Sequence, residues 1–263
     1  MLRFLSLRPA CACLALLAIP SSLPQAKPAV AGSAASLPAA ETLSYTIEWR
    51  LIYAGDARLS FQQQKGSAPA AWESTLHLES AGLVSRLYKL VDDYRVDMQD
   101  QFCATGSVFD AIEGKRHRET KVTFDHNTHK AVYLETDLLK HVVIKSGDTE
   151  IPPCVSDVIG GLYKMRTVHL EPGQSMQVSL SDGRKSVSAK VEAQEREEVE
   201  TKAGKFKTIR YEAYIFNGVL FKKNARLQFW MTDDATRLPV QLRARMPFPI
   251  GTITFQLEKD QRS

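Results

Sequence analysis

The residues with the most obvious capacity for chemistry come in neighbouring pairs. Asp92-Asp93 and Asp233-Asp234 each set two carboxylates side by side. Brought onto one substrate, such a pair can share a proton, because repulsion raises one pKa and leaves the other low. Adjacent residues on a strand point to opposite faces, however, so the two groups converge only where the backbone turns. "TDDATRLP", around Asp233 and Asp234, reads as a polar corner between strands, where Asp side chains bond nearby backbone N–H groups. "KLVDDYRVD" reads as a charged strand end or turn in which Lys89 and Arg95 compensate Asp92 and Asp93.

A second candidate is the trio Asp125, His126 and His129 in "FDHNTHKAV", since imidazoles and a carboxylate suit zinc. The spacing falls in a hairpin turn, where the rings are solvated, and no fourth ligand stands nearby. His169, in "HLEPGQ", reads as a strand end before a Pro-Gly turn. The chain has no G-x-S-x-G nucleophile elbow and no glycine-rich phosphate loop. The expectation is therefore a non-enzyme, with no catalytic, cofactor-binding or metal-binding residues.

Aromatic residues offer a different chemistry. Tyr45, Trp49, Phe61, Trp72, Phe229 and Trp230, together with Phe206, can line a cavity for an apolar ligand, or they can fill the core of a curved sheet. Both readings stay open. Cys103 and Cys154 suggest one disulfide closing a loop of about 50 residues, the alternative being two separate buried thiols.

These residues must be positioned by a chain whose first part differs from the rest. Arg3 and Arg8 precede the apolar run "ACACLALLAI", then Pro20, small residues and an exit near Ala26, the arrangement of a secretory signal peptide over residues 1–26. The run is about ten residues, half of the roughly 20 a membrane helix needs. Cys11 and Cys13 lie at its start and not just after it, which argues against a lipid anchor. Residues 27–42 are rich in Ala, Pro, Gly and Ser and read as a disordered tether. A single β-rich domain is expected over 43–260, with no transmembrane segment in the mature chain. Removing Arg3 and Arg8 lowers the formal net charge from +4 to +2, too near neutral to argue for nucleic acid.

From residue 43 the dominant period is two. In "LSYTIEWRLIY" the residues Leu43, Tyr45, Ile47, Trp49, Leu51 and Tyr53 share one face, and Ala54-Gly55-Asp56 reads as the turn before Ala57, Leu59 and Phe61. Trp72, Leu76 and Leu78 follow in the next strand. Val122 and Phe124 lead into "DHNTHK" and return at Val132 and Leu134. Asp182-Gly183 and Asn217-Gly218 lie between alternating apolar runs and read as type I′ hairpins. "EAQEREEVETKAGKFK" reads as a solvated hairpin, and Pro239 as the first residue of a strand. Helix is confined to "GLVSRLYKLV" and to "SDVIGGLYKMRTV". In the second, Ser156 or Asp157 caps, and Val158, Leu162 and Met165 share a face. No strand–helix alternation or 20–50-residue repeat is present. The expected fold is all-β and mainly antiparallel, a large rolled or barrel-like sheet with one or two short helices.

Several of these pieces recur in a known order: Tyr45-x-Ile47-x-Trp49, Ala54-Gly55-x-Ala57-x-Leu59, Phe124-Asp125, "GLYKMR" at 161–166, Pro172-Gly173, "AGKFKT" at 203–208, "WMTDDATRLPV" at 230–240 and "GTITFQL" from Gly251. In them the chain resembles the bacterial cell-envelope family catalogued as domain of unknown function 3108. The resemblance implies an exported antiparallel β protein and no catalytic residues. It implies a periplasmic address in a Gram-negative envelope. Three functions follow as expectations. The first is a non-catalytic envelope protein that binds a lipid or acyl chain in a curved sheet. The second is a structural or interaction module with a packed interior and an envelope protein as partner. The third is a hydrolase of envelope material using Asp93 or Asp233.

Overall fold

Alternation of apolar and polar residues produces long paired strands, beginning with β1 (Ala40–Trp49) and β2 (Ile52–Gln64). The computed structural model describes residues 37–64, 71–214, 226–246 and 251–262. Residues 1–36, which hold the signal-peptide reading and most of the tether, and the Asn217-Gly218 turn lie outside the described residues. β1 begins at Ala40, three residues before the boundary read from composition, and Glu41 is buried.

The first half of the chain is a meander: β1, β2, β3 (Ala71–Ser80), α1 (Gly82–Leu87), β4 (Leu90–Gln99), β5 (Cys103–Glu113), β6 (Arg116–Asp125), β7 (Lys130–Asp137) and β8 (Val142–Glu150). Then α2 (Val158–Arg166) crosses over. A second meander returns through β9 (Ser175–Ser181), β10 (Ser186–Thr201), β11 (Gly204–Tyr214), β12 (Arg226–Thr232), β13 (Pro239–Arg245) and β14 (Thr252–Arg262). β14 pairs antiparallel with β1, so the two meanders join into one 14-stranded antiparallel sheet with β8 and β9 at its edges. The fold is all-β, with two helices among the described residues.

The sheet rolls until its two ends meet through side chains. Arg184, after β9, bonds Glu135 of β7 at 2.8 Å, and the Ser186 hydroxyl donates to the Glu150 carbonyl at 3.0 Å. Gly183 sits so close to β6 that a Cβ there would lie 2.4 Å from Val122. The inner face carries Leu43, Tyr45, Leu59, Val96, Ala189 and Tyr211, all buried.

Two turns differ from the reading of the sequence. The β1–β2 turn falls at Arg50-Leu51, both at positive φ as a type I′ turn requires, and not at Ala54-Gly55-Asp56. Leu51 is therefore 90% exposed and Tyr53 lies outside the core face, although both continue the alternation of β1. Gly55 belongs to the interior of β2, where a Cβ would stand 2.0 Å from the Glu79 carbonyl oxygen of β3. Asp182-Gly183 opens a four-residue loop, Ser181 pairing with Ser186, and the Asp182 carboxylate accepts from the N–H groups of Arg184 and Lys185.

The crossover is tied down at both ends. Cys103 and Cys154 form a disulfide with Cα atoms 5.1 Å apart, 51 residues apart in the chain. A closed loop of that length stabilises by about 4 kcal/mol in the chain-entropy account. Asp157 caps α2, accepting from Gly160 and Ile159 N–H groups at 2.7 and 3.1 Å. At its other end Arg166 and Tyr163 both bond the buried Glu41 of β1.

Candidate functional site

α2 lies inside the roll, and the space it does not fill is the candidate site. Val158, Leu162 and Met165 share its lower face, as their i, i+4, i+7 spacing dictates. Across from them stand Tyr45 and Leu59 of β1 and β2, Leu76 of β3, Val178 and Leu180 of β9, Val191 of β10 and Phe229 of β12. These walls bound a partly open cavity of about 180 Å³. The lining is apolar nearly throughout, because every contributing strand turns its alternate residues inward. Its one hydroxyl, on Tyr45, donates to the Pro239 carbonyl at 2.8 Å. Burial pushes the Tyr45 pKa far above the usual phenol value, so it stays neutral.

Leu76, Val158 and Ile159 also border a second space of about 480 Å³, so the two adjoin. This neighbour has a mainly apolar wall with a group of charged side chains set into it. Arg118 bonds Glu135 at 3.0 Å, Arg184 bonds the other oxygen of Glu135, and Glu113, Asp157 and Asp182 stand around them. Asp157 has its pKa raised by burial, with the bonds from Gly160, Ile159 and Tyr94 opposing that rise. Asp92 shares this inner face with Ala111, its partner across β4–β5. Burial, then the charges of Glu113, Asp93 and Asp110, push the Asp92 pKa up to about 7. Its Oδ1 is buried without a hydrogen-bond partner.

Of the six aromatic residues expected to line a cavity, Tyr45 and Phe229 do so. Phe61 stacks on Tyr163 at 3.9 Å and on Trp72 at 4.8 Å between ring centroids, and both Phe61 and Trp72 contact Phe102. Those rings are a packed core. Trp230 points away from its neighbour Phe229. Its indole N–H donates to Glu197 at 2.6 Å and the Arg243 guanidinium lies 5.0 Å from its ring. Trp49 sits near the β1–β2 turn with the Arg50 guanidinium 5.3 Å from its ring, and Phe206 is half-buried against the core.

The paired carboxylates are separated. Asp233 bonds Arg196 at 2.7 Å, while Asp234 accepts from the Thr232 and Thr236 hydroxyls and the Thr236 and Arg237 N–H groups. Burial works to raise the Asp234 pKa, but these bonds hold it below the usual carboxylate range. They form the corner between β12 and β13. Asp92 and Asp93 are instead inside β4. Asp93 bonds His77 at 2.8 Å, and Arg95 pairs with Glu73 and Asp97 and not with either of them. His126 bonds the Ala104 carbonyl at 2.7 Å, and Asp125 accepts from the N–H groups of its own turn. His169 bonds Glu171. Among the described residues no three His, Cys, Asp or Glu side chains converge as metal ligands, and no helix is long and apolar enough to cross a membrane.

The Glu41–Tyr163–Arg166 cluster was not anticipated, since Glu41 sits in a stretch whose composition reads as tether. The polar space had a signal in "RHRETKVTF", where Arg118 and Thr120 share a parity with Val122 and Phe124. That strand changes from polar to apolar along its inward side.

The family model described as "Protein of unknown function (DUF3108)" matches residues 44–258. The chain belongs to this family. No curated protein matches it. Among solved structures, the beta-barrel-like protein of domain of unknown function DUF1849 from Brucella abortus is similar at TM-score 0.55 and 9% identity, over 87% of this chain and 99% of that one. That likeness is one of fold alone. A Bacteroides fragilis protein with a YmcC-like fold aligns over 89% of this chain and 100% of its own, at 9% identity and TM-score 0.31. DUF3108 membership carries no activity with it.

Proposed function

We propose that this DUF3108 protein is a non-catalytic, exported binding protein that holds the apolar chain of a lipid-like molecule inside its rolled sheet. The observation that carries the reading is the apolar cavity beneath α2, which adjoins, at Leu76, Val158 and Ile159, an antechamber carrying charged side chains. Water gains no partners in such a space, whereas an apolar chain does. Alone, the apolar part is near the roughly 150 Å³ of a cavity that admits one benzene ring. The adjoining antechamber, about 480 Å³, lies in the range of about 300–1,000 Å³ used by small-molecule sites. A long chain with a polar head fits this division of chemistry.

Export is supported by the basic start and short apolar run at residues 3–19 and by the Cys103–Cys154 bond, which oxidising compartments form and keep. A periplasmic address in a Gram-negative envelope is the reading that follows. The carboxylates that would serve a hydrolase do not favour one, since Asp93 is engaged by His77 and Asp233 by Arg196 in separate parts of the sheet.

Native mass spectrometry of protein purified from its host without detergent tests the proposal. The expected spectrum shows mass beyond the polypeptide, released as lipid on denaturation. A bare polypeptide mass, with no uptake of a fluorescent fatty acid by the same sample, overturns it.

A further inference from the structure

The two ends of the roll differ in what their turns expose. One end carries the β1–β2 turn at 50–51, the 81–89 segment with α1, the β5–β6 turn at 114–115 and the β7–β8 turn at 138–141. Antiparallel register places them together: Gly55 pairs with Ser80, Leu90 with Glu113, and Arg118 with Asp137. Side chains connect them as well. A Cβ on Gly82 would lie 3.7 Å from the Tyr53 ring, and one on Gly114 would lie 3.3 Å from the Tyr88 ring.

Leucines stand out at the tips of this end. Leu51 is 90% exposed, Leu87 76%, Leu83 66% and Leu139 62%. At the opposite end the described turns 100–102, 126–129, 202–203 and 233–238 expose no large apolar side chain, and Phe102 and Leu238 are folded inward. Charge is divided in the same sense. These four segments, three of which carry the leucines, hold Arg50, Arg86, Lys89, Lys115 and Lys140 and no Asp or Glu, and the β9–β10 turn at the same end adds Asp182, Arg184 and Lys185. The opposite turns hold Asp100, Asp233 and Asp234 against Lys202 and Arg237.

Isolated exposed leucines are ordinary, but apolar tips gathered on one rim and ringed by cations mark an interaction surface. We infer that this rim docks on the surface of a lipid bilayer containing anionic phospholipid. Leucine side chains enter the boundary between headgroups and acyl chains, while the cations meet lipid phosphates. A bilayer fits better than a protein partner because the leucines are spread over three separate segments, Leu51 on one turn, Leu83 and Leu87 on α1, and Leu139 on another turn. Arg118 and Asp182, which border the antechamber, stand near the turns of the same end. The inference goes beyond the binding reading, since docking requires only the rim and holds whether or not the cavity is loaded.

Vesicle flotation with the full protein tests it, using phosphatidylethanolamine vesicles with and without phosphatidylglycerol. The wild type should float with the anionic vesicles, and less so at high salt, which screens the cations. Leu51→Asp combined with Leu87→Asp should lower partitioning by more than about tenfold, because burying each leucine is worth roughly that factor. Val132→Asp, exposed on the outer face of β7, serves as the control and should float as the wild type does. Fluorescent fatty acid uptake, measured on the same double variant, separates the two proposals, since the rim change leaves the cavity intact. The inference is overturned if the wild type stays unbound, if the double variant floats unchanged, or if the wild type is instead a dimer that the double variant dissociates.

Discussion

Asp92 is the residue whose chemistry depends most on what surrounds it. Its pKa in the folded protein rises to about 7 through burial and the neighbouring Glu113, Asp93 and Asp110 charges, against 3.8 for the free side chain. Folded and unfolded chains are both protonated below about pH 4, so the group is neutral toward stability there. Between about pH 4 and 7 only the unfolded chain ionises, and the destabilisation grows until it levels off above 7. The full shift would correspond to about 4 kcal/mol, which solvent screening of this half-exposed carboxyl reduces to about 1–2 kcal/mol. Asp92→Asn should therefore raise the melting temperature at about pH 8 and leave it nearly unchanged at about pH 4. An equal gain at both pH values would show that the carboxylate charge is not the cause. Glu41 makes the opposite case, a buried charge that is fully partnered by Arg166 and Tyr163. Glu41→Gln leaves Arg166 buried without a counter-charge and should cost about 3–5 kcal/mol in urea unfolding, part of which Arg166→Met in the same chain should restore.

At the scale of elements, α2 explains why two poor helix formers stand in its middle. A Cβ on Gly160 would lie 3.0 Å from the Phe102 carbonyl oxygen and 2.9 Å from the Asp157 carboxylate that caps the helix. Gly160→Ala gains about 1 kcal/mol of helix propensity but should lose about 1–3 kcal/mol to overpacking against backbone. Net destabilisation in a denaturant titration is the expected result, and a rise in the midpoint would mean that the helix can shift within the roll. Many of the strands, several of their hairpins and both helices were legible from the period of two, the turn residues and a cap at Ser156 or Asp157, whereas β5 and β8 were not read. The Arg50-Leu51 turn was not, because neither residue advertises positive φ. Pairing of β1 with β2 and β14 imposes that conformation on them.

For the molecule as a whole, the prediction concerns its hollow. Ala213 of β11 lines the apolar cavity and is buried. Ala213→Phe should fill much of that space, abolish fatty-acid uptake and change stability by less than about 1.5 kcal/mol, since the added ring enters a void. Uptake that survives with a correctly folded variant would place the ligand elsewhere. Of the candidate site, Tyr45, Phe229 and the α2 face were recognisable as apolar positions, yet nothing in their spacing separates a wall from a core. Phe61 and Trp72 carry the same pattern and are packed solid against Tyr163 and Phe102.

Alternation at period two was sufficient to determine an antiparallel all-β chain, because a strand with one apolar face has no other way to bury it. Which faces meet, and how much room is left between them, was decided only by tertiary structure. Glu41 and Arg166 lie 125 residues apart in the chain, and their contact sets where α2 hangs inside the roll. Closure of β9 and β10 over β6 and β7 then leaves one part of the interior apolar and another carrying charged side chains. Volume and enclosure are properties of strands that are distant in sequence, and local pattern does not carry them.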